Sequence, residues 1–301
     1  MYLSPDDAKS DVILAAAVLL FGGLAYAIVV QLPGYPRPGG TLGITLDLVW
    51  LVLLSAAMPW WLSRYRGDGI KAFGLDGDRS AIPSGMLLAL PVVIAQTMIG
   101  ILDGRDLVGT LLGDLGRVIA SPFPQDGFVT FAIGARFIVV TIGASLVISF
   151  LAVRSRDAFP RSPDTSLTEL VRTFGMGAAG IALVIGLLRS LFGPFSAGFV
   201  LLNVGALIAV ILIADRRLPN TVTVPRATIV APAIVVMVIH IFASGGIFRG
   251  NLPAGIWAGA MGAGIAIVVA ALVQLRGVAW SIVPLMLAVH WWTSPLSPLA
   301  F

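Results

Sequence analysis

Cysteine is missing from all 301 residues, glutamate appears once, as Glu169, and histidine twice, as His240 and His290. Without cysteine there is no disulfide framework, no thiol nucleophile and no thiolate metal site. With a single glutamate and fourteen aspartates, carboxylate chemistry is thin. Charge of either sign is scarce, since Asp, Glu, Lys and Arg make up 11% of the chain and the net charge is +4. A Gly-rich phosphate loop, a G-x-S-x-G elbow and an HExxH helix are also lacking, and no triad stands out from spacing alone. The basic residues fall in short loops, a pattern that fits lipid headgroups rather than nucleic acid. No nucleic-acid partner and no cofactor is therefore expected.

What is present is apolar. Hydrophobic residues form 58% of the chain and the mean hydropathy is +0.98, values that point to a polytopic membrane protein rather than a water-soluble domain. Runs long enough to cross about 30 Å of hydrocarbon recur from end to end. They predict an all-α transmembrane helix bundle of about nine spans in one membrane domain, 1–301, with helices near 12–32, 41–62, 84–102, 128–153, 173–192, 195–214, 228–246, 254–275 and 279–293. The first run is too long for a signal-peptide core and is expected to be retained. Between the runs, Pro33, Pro122, Pro124, Pro160, Pro163, Pro194 and Pro219 mark turns. Leu107, Leu111, Leu112, Leu115 and Ile119 recur at helical spacing in the long segment 103–125, which predicts a short amphipathic helix on the outer surface.

With the amino terminus cytoplasmic, thirteen of the nineteen basic residues fall in inner segments. The positive-inside rule then places the carboxyl terminus outside an inner, plasma-type membrane. Trp60-Trp61 and Trp291-Trp292 supply interfacial anchors at opposite sides.

Four of the ionisable residues within the apolar runs are candidates for a site. Arg136, in "AIGARFIVV", is about nine residues into its helix, and an unpaired charge there is costly. Asp47, in "ITLDLVW", is the nearest candidate partner by depth and the one aspartate the pattern places well inside a helix. The two form either a structural ion pair or a site for an anionic headgroup or substrate. His240, in "VVMVIHIF", and His290, in "LMLAVHWW", each follow eleven to twelve residues after an inner helix end, so they are expected at similar depth. Imidazoles in such a place are hydrogen-bonded core groups, metal ligands or an acid–base pair. A zinc site would need a third ligand, and only Asp47 or a loop residue could supply it. Gln96 and Asn203 are the other buried polar candidates. Glycines crowd "FGMGAAGIALVIG", and Gly255 and Gly259 form a G-x-x-x-G pair, which predicts close helix packing within the bundle.

The segment "RYRGDGIKAFGLDGDRSAIPSGMLLALPVV" resembles the basic glycine-leucine loop entering a helix in the CPBP family, the CAAX-prenyl-protease and bacteriocin-processing intramembrane proteins. "VVMVIHIF" and "GVAWSIVPLMLAVHWW" are similar to that family's two histidine helices, with the glycine-rich helix 252–277 between them. By this resemblance His240 and His290 would be the site histidines of an intramembrane peptidase. Position 236 is Val where the family has Phe, and 294 is Ser where it has Asn or Asp. The family's Glu-Glu-x-x-x-Arg motif, which activates water, has no counterpart in "NVGALIAVILIADRR" or "GASLVISFLAVRSR", and a hydrolase in a dry pocket needs such a base. The resemblance thus implies a degenerate, non-catalytic relative with ligand-binding positions Arg136, Asp47, His240 and His290. Such a protein would act as an accessory or scaffold subunit of a membrane assembly, or as a binder of a lipid or prenyl-like chain. Its partners would be membrane lipids and other membrane subunits. A peptidase using His240 and His290, or a secondary transporter, are the alternatives, although no internal repeat is evident.

Overall fold

A computed structural model of the protein describes residues 3–36, 41–77, 79–104, 127–160, 164–192, 196–242, 251–275 and 277–291. Among them the chain is almost entirely helical. Helix α1 is Pro5–Val29, α2 is Thr41–Val52, and α3 is Met58–Tyr65. These are followed by the short α4, Ala81–Ser84, and by α5, Met86–Leu102. The remaining helices are α6 (Gly127–Ala158), α7 (Leu167–Phe192), α8 (Ala197–Arg217), α9 (Ala227–Phe242), α10 (Leu252–Leu272) and α11 (Ile282–Trp291). Two three-residue strands, β1 (Asp164–Ser166) and β2 (Thr223–Pro225), pair antiparallel, with Thr165 opposite Val224.

Seven helical segments among the described residues are long and apolar enough to cross a membrane: Pro5–Val29, Thr45–Tyr65, Ala81–Leu102, Gly134–Ala158, Leu167–Phe192, Ala197–Arg217 and Leu252–Leu272. The expected seventh and ninth, at Ala227–Phe242 and Ala279–Trp291, are apolar but shorter. The molecule is thus an all-α bundle of membrane-spanning helices. The amphipathic helix expected in 103–125 lies, from residue 105 onward, outside the described residues.

Helix ends depart from the apolar runs for local reasons. Helix α1 begins at Pro5, well before the apolar run, because the Ser4 hydroxyl accepts a hydrogen bond from the Asp7 N–H and Pro5 fills the first helical position. Helix α8 is capped in the same way by Ser196 at the Phe199 N–H, 3.1 Å away. Between α2 and α3 the helix widens into a π turn at Leu53–Ala57. Pro59, which follows, has no N–H to return to the ladder, so a widened turn is tolerated there.

The bundle centres on α6 and α10. Helix α6 packs against α1, α2, α9, α10 and α11, while α10 packs against α7, α8 and α9. One buried apolar cluster extends from Ala8 to Met286, and along α10 every residue from Gly264 to Leu272 is buried. Of the glycines expected to pack closely, Gly175, Gly186 and Gly259 do, whereas Gly177 and Gly180 face open space. A Cβ on Gly259 would come within 3.0 Å of the Met237 carbonyl oxygen, and one on Gly143 would overlap the Ser55 hydroxyl on the π turn. Large apolar side chains such as Phe21, Leu102, Leu191 and Phe192 are exposed on the outside, where lipid would solvate them.

Asp47 is not the only aspartate buried inside a helix, contrary to expectation. Asp11 is 1% exposed, because α1 starts earlier than its apolar run. Its partner Arg154, one residue beyond the apolar run 128–153, is buried within α6, which runs on to Ala158. Arg154 contacts Asp11 at 3.2 Å and Asp68 at 2.5 Å; Arg66 contacts Asp11 at 3.1 Å and Asp7 at 2.8 Å. This five-residue lattice ties the start of α1, the turn after α3 and the end of α6 together. For Arg66, burial works against the charged form but the carboxylates outweigh it, so the guanidinium is held even more firmly protonated than usual.

Candidate binding cavity

A cavity of about 300 Å3 opens within the bundle, walled by α1, α5, α6, α8, α9, α10 and α11. Its surface is mostly aliphatic: Leu19, Val92, Val147, Ile148, Leu207 and Ile265 are representative. Four of the polar residues singled out by sequence meet there, namely Gln96, Asn203, His240 and His290. Polar side chains from four different helices therefore converge on a pocket that is otherwise apolar, the usual make-up of a small-molecule site.

Each polar group is held by its own helix or by its neighbour. Gln96 Nε2 donates to Asn203 Oδ1 at 2.9 Å, and Asn203 Nδ2 donates to the Phe199 carbonyl one turn back, also at 2.9 Å. His240 Nδ1 is 2.9 Å from the Val236 carbonyl oxygen, and His290 Nδ1 is 2.9 Å from the Met286 carbonyl oxygen. A carbonyl can only accept, so in both rings Nδ1 carries the proton, and in the neutral imidazole Nε2 is the acceptor. Gly262 makes room for one ring, since a Cβ there would lie 3.2 Å from His240 Cε1. The two histidines are brought together, as their matched positions predicted, and the same helix-internal bond orients both.

The second predicted pair also forms. Arg136 Nη1 lies 3.7 Å from Asp47 Oδ2, and both residues are 4% exposed. The separation is that of an ion pair without a hydrogen bond. Asp47 is held instead by Tyr26, whose hydroxyl donates to its Oδ1. Tyr35 packs beside the same carboxylate: burial raises its phenol above the ordinary tyrosine range, and the Asp47 charge pushes the same way. Among the described residues, Arg136 Nε and Nη2 are buried without a hydrogen-bond partner. The two tyrosines were not anticipated. They stand alone in their segments, and only the folded arrangement of α1 against α2 reveals their common target.

Asp47 does not line the cavity, so it is not a third companion for the imidazoles. Among the described residues no carboxylate faces the cavity, and no group of three His, Cys, Asp or Glu side chains is placed to hold a metal. What the arrangement offers is a shaped apolar volume with hydrogen-bonding groups at fixed positions. Fold and site together define a class: an integral membrane helix bundle with an internal, largely apolar cavity. The chain matches no protein-family model, no curated protein and no solved structure.

Proposed function

We propose that the protein binds an amphiphile, a molecule with an acyl-like or prenyl-like chain, inside the membrane, and that it acts by holding this ligand rather than by transforming it. The observation that carries this is the cavity: aliphatic walls inside a lipid-facing bundle, with polar groups from four helices and no carboxylate among its described lining residues. A chain in such a volume exchanges lipid contacts for protein contacts. The hydrogen-bonding groups then decide which chains are retained, because a buried donor or acceptor left without a partner is costly. His290, with Nε2 as acceptor, favours a ligand that brings a hydroxyl or amide donor to that end of the cavity.

In this reading the chain crosses the membrane nine times, with the amino terminus cytoplasmic and the carboxyl terminus outside, and Ala227–Phe242 and Ala279–Trp291 are short crossings. The distribution of arginine and lysine supports that orientation. A likeness to the CPBP proteins accords with two histidines sharing one cavity, and a docking role toward other membrane subunits is compatible with ligand binding.

The test is gentle purification of the whole protein followed by native mass spectrometry and lipid identification. The wild type is expected to carry one amphiphile per chain, and Ala206→Phe, which fills the cavity from α8, is expected to lose it. Wild-type protein recovered with no bound amphiphile, indistinguishable from the filled variant, would overturn the proposal. The geometry also favours one second reading, a peptidase using the paired imidazoles. A cleavage activity abolished by His240→Ala and His290→Ala would establish it in place of simple binding.

A further inference from the structure

The cavity has a polar end and an aliphatic end, and α5, α8 and α11 show which is which. A Cβ on Gly85, just before α5, would overlap the carbonyl of Ser281, just before α11, so these two helices start side by side. They pack against each other, and each reaches the cavity further along its length, so they run in the same direction. Gln96 is eleven residues beyond Gly85 and His290 nine beyond Ser281, about 17 and 14 Å along the two axes. Helix α8 runs the opposite way. Arg217 at its end donates to the Ser84 carbonyl at 2.6 Å, while Asn203 near its start accepts from Gln96 at 2.9 Å. Both amides and the imidazole therefore share one level. The aliphatic lining lies one turn away, on the same side in all three helices: Val92 precedes Gln96 by four residues, Met286 precedes His290 by four, and on the reversed helix Leu207 follows Asn203 by four.

The hydrogen bonds at the polar end leave a defined remainder. The Phe199 carbonyl can only accept, so the Asn203 amide is fixed with Nδ2 toward it and Oδ1 toward Gln96. That oxygen fixes Gln96 in turn, taking one of its two amide hydrogens. His290 Nδ1 donates to the Met286 carbonyl and leaves Nε2 to accept. Gln96 thus offers a ligand its second N–H, and His290 offers an acceptor. No Asp, Glu, Lys or Arg stands among the described lining residues. A charged head drawn into this volume would give up its hydration with no counter-charge in return, which costs more than these hydrogen bonds restore. A hydroxyl suits both groups at once: its hydrogen goes to His290 Nε2 and its oxygen accepts from Gln96.

We infer that the bound amphiphile is an uncharged long-chain alcohol, its hydroxyl held between His290 and Gln96 and its chain laid toward Val92, Leu207 and Met286. This inference rests on the binding proposed above and specifies the head group.

The experiment uses the full chain in phosphatidylcholine nanodiscs equilibrated with equal amounts of oleyl alcohol, oleyl methyl ether, oleyl sulfate and oleyltrimethylammonium, and native mass spectrometry reads which are retained. The ether has the same chain and an oxygen but no hydrogen to donate. The wild type is expected to retain the alcohol about tenfold over the ether, the cost of leaving a buried acceptor unmet, and to take up neither ion. His290→Phe keeps a ring of similar shape without the acceptor, and is expected to retain alcohol and ether equally. Gln96→Leu is expected to lower the occupancy of both, because each presents an oxygen, and to keep their ratio. Equal wild-type retention of alcohol and ether, or a preference that survives in His290→Phe, overturns the assignment while leaving chain binding in place. Either ion retained as well as the alcohol overturns it too, as does unchanged occupancy in Gln96→Leu. If no oleyl probe is retained, the proposed function fails with it.

Discussion

Two aspartates illustrate how differently a buried charge can be held in this bundle. Asp11 contacts two arginines within hydrogen-bonding distance, whereas Asp47 relies on a tyrosine hydroxyl and a more distant guanidinium. Removing one member of a buried pair strands the other. Arg136→Gln alone is therefore expected to destabilise the protein by about 3–5 kcal/mol, and Arg136→Gln/Asp47→Asn by distinctly less, as read by thermal melting in detergent. Tyr26→Phe removes the hydroxyl but not the ring, and is expected to cost about 1.5–3 kcal/mol, the range for a hydrogen bond to a charged group. If the single Arg136 variant melts like the wild type, Asp47 is compensated by something other than this arginine. Sequence pattern alone was enough to name Arg136, Asp47, His240, His290, Gln96 and Asn203, because each is a polar residue in an apolar run. It could not reveal Tyr26 and Tyr35, since tyrosine is unremarkable near a membrane interface. Nor could it pair Asp11 with Arg154, because nothing local relates two residues so far apart in the chain.

At the level of the helices, hydropathy marked the cores of the elements and misjudged their ends. The run 12–32 begins seven residues after α1 does, because a capped first turn is polar and carries no hydropathic signal. The π turn at Leu53–Ala57 left no trace in composition, since widening a helix by one residue changes hydrogen bonding and not polarity. Its packing is nonetheless specific. Ser55 donates to the Leu51 carbonyl and meets α6 at Gly143, where any side chain would overlap the hydroxyl. Gly143→Val is expected to lower stability by about 1–3 kcal/mol through overpacking. Gly177 and Gly180, which have open space at the Cβ position, are expected to accept alanine with no loss in the same melting assay. Equal effects at all three positions would mean that helix flexibility and not close packing governs these glycines.

For the molecule as a whole, the lack of cysteine becomes an experimental advantage, because single cysteines can be introduced without removing any. In the nine-crossing arrangement Asn220 precedes α9 on the cytoplasmic side and Asn251 precedes α10 on the outer side. A membrane-impermeant maleimide added to intact cells is expected to label Asn251→Cys and to spare Asn220→Cys until the membrane is opened. The reverse pattern would invert the orientation, and labelling of both would remove one of the short crossings. The bundle's general architecture was legible because its chemistry is one-sided: a chain this apolar has few ways to satisfy its backbone in lipid other than as helices. The cavity was not legible, since its walls are built from the same aliphatic residues as the core and differ only in failing to meet.

The widened turn at Leu53–Ala57 also separates two halves of a crossing that are out of step. Deleting one residue there would restore a regular ladder of backbone bonds, yet it would rotate everything upstream by about 100° relative to α3. Asp47 would then swing off the side of the helix that faces Arg136. The residues of this turn carry no charge, but their number determines where that carboxylate is aimed.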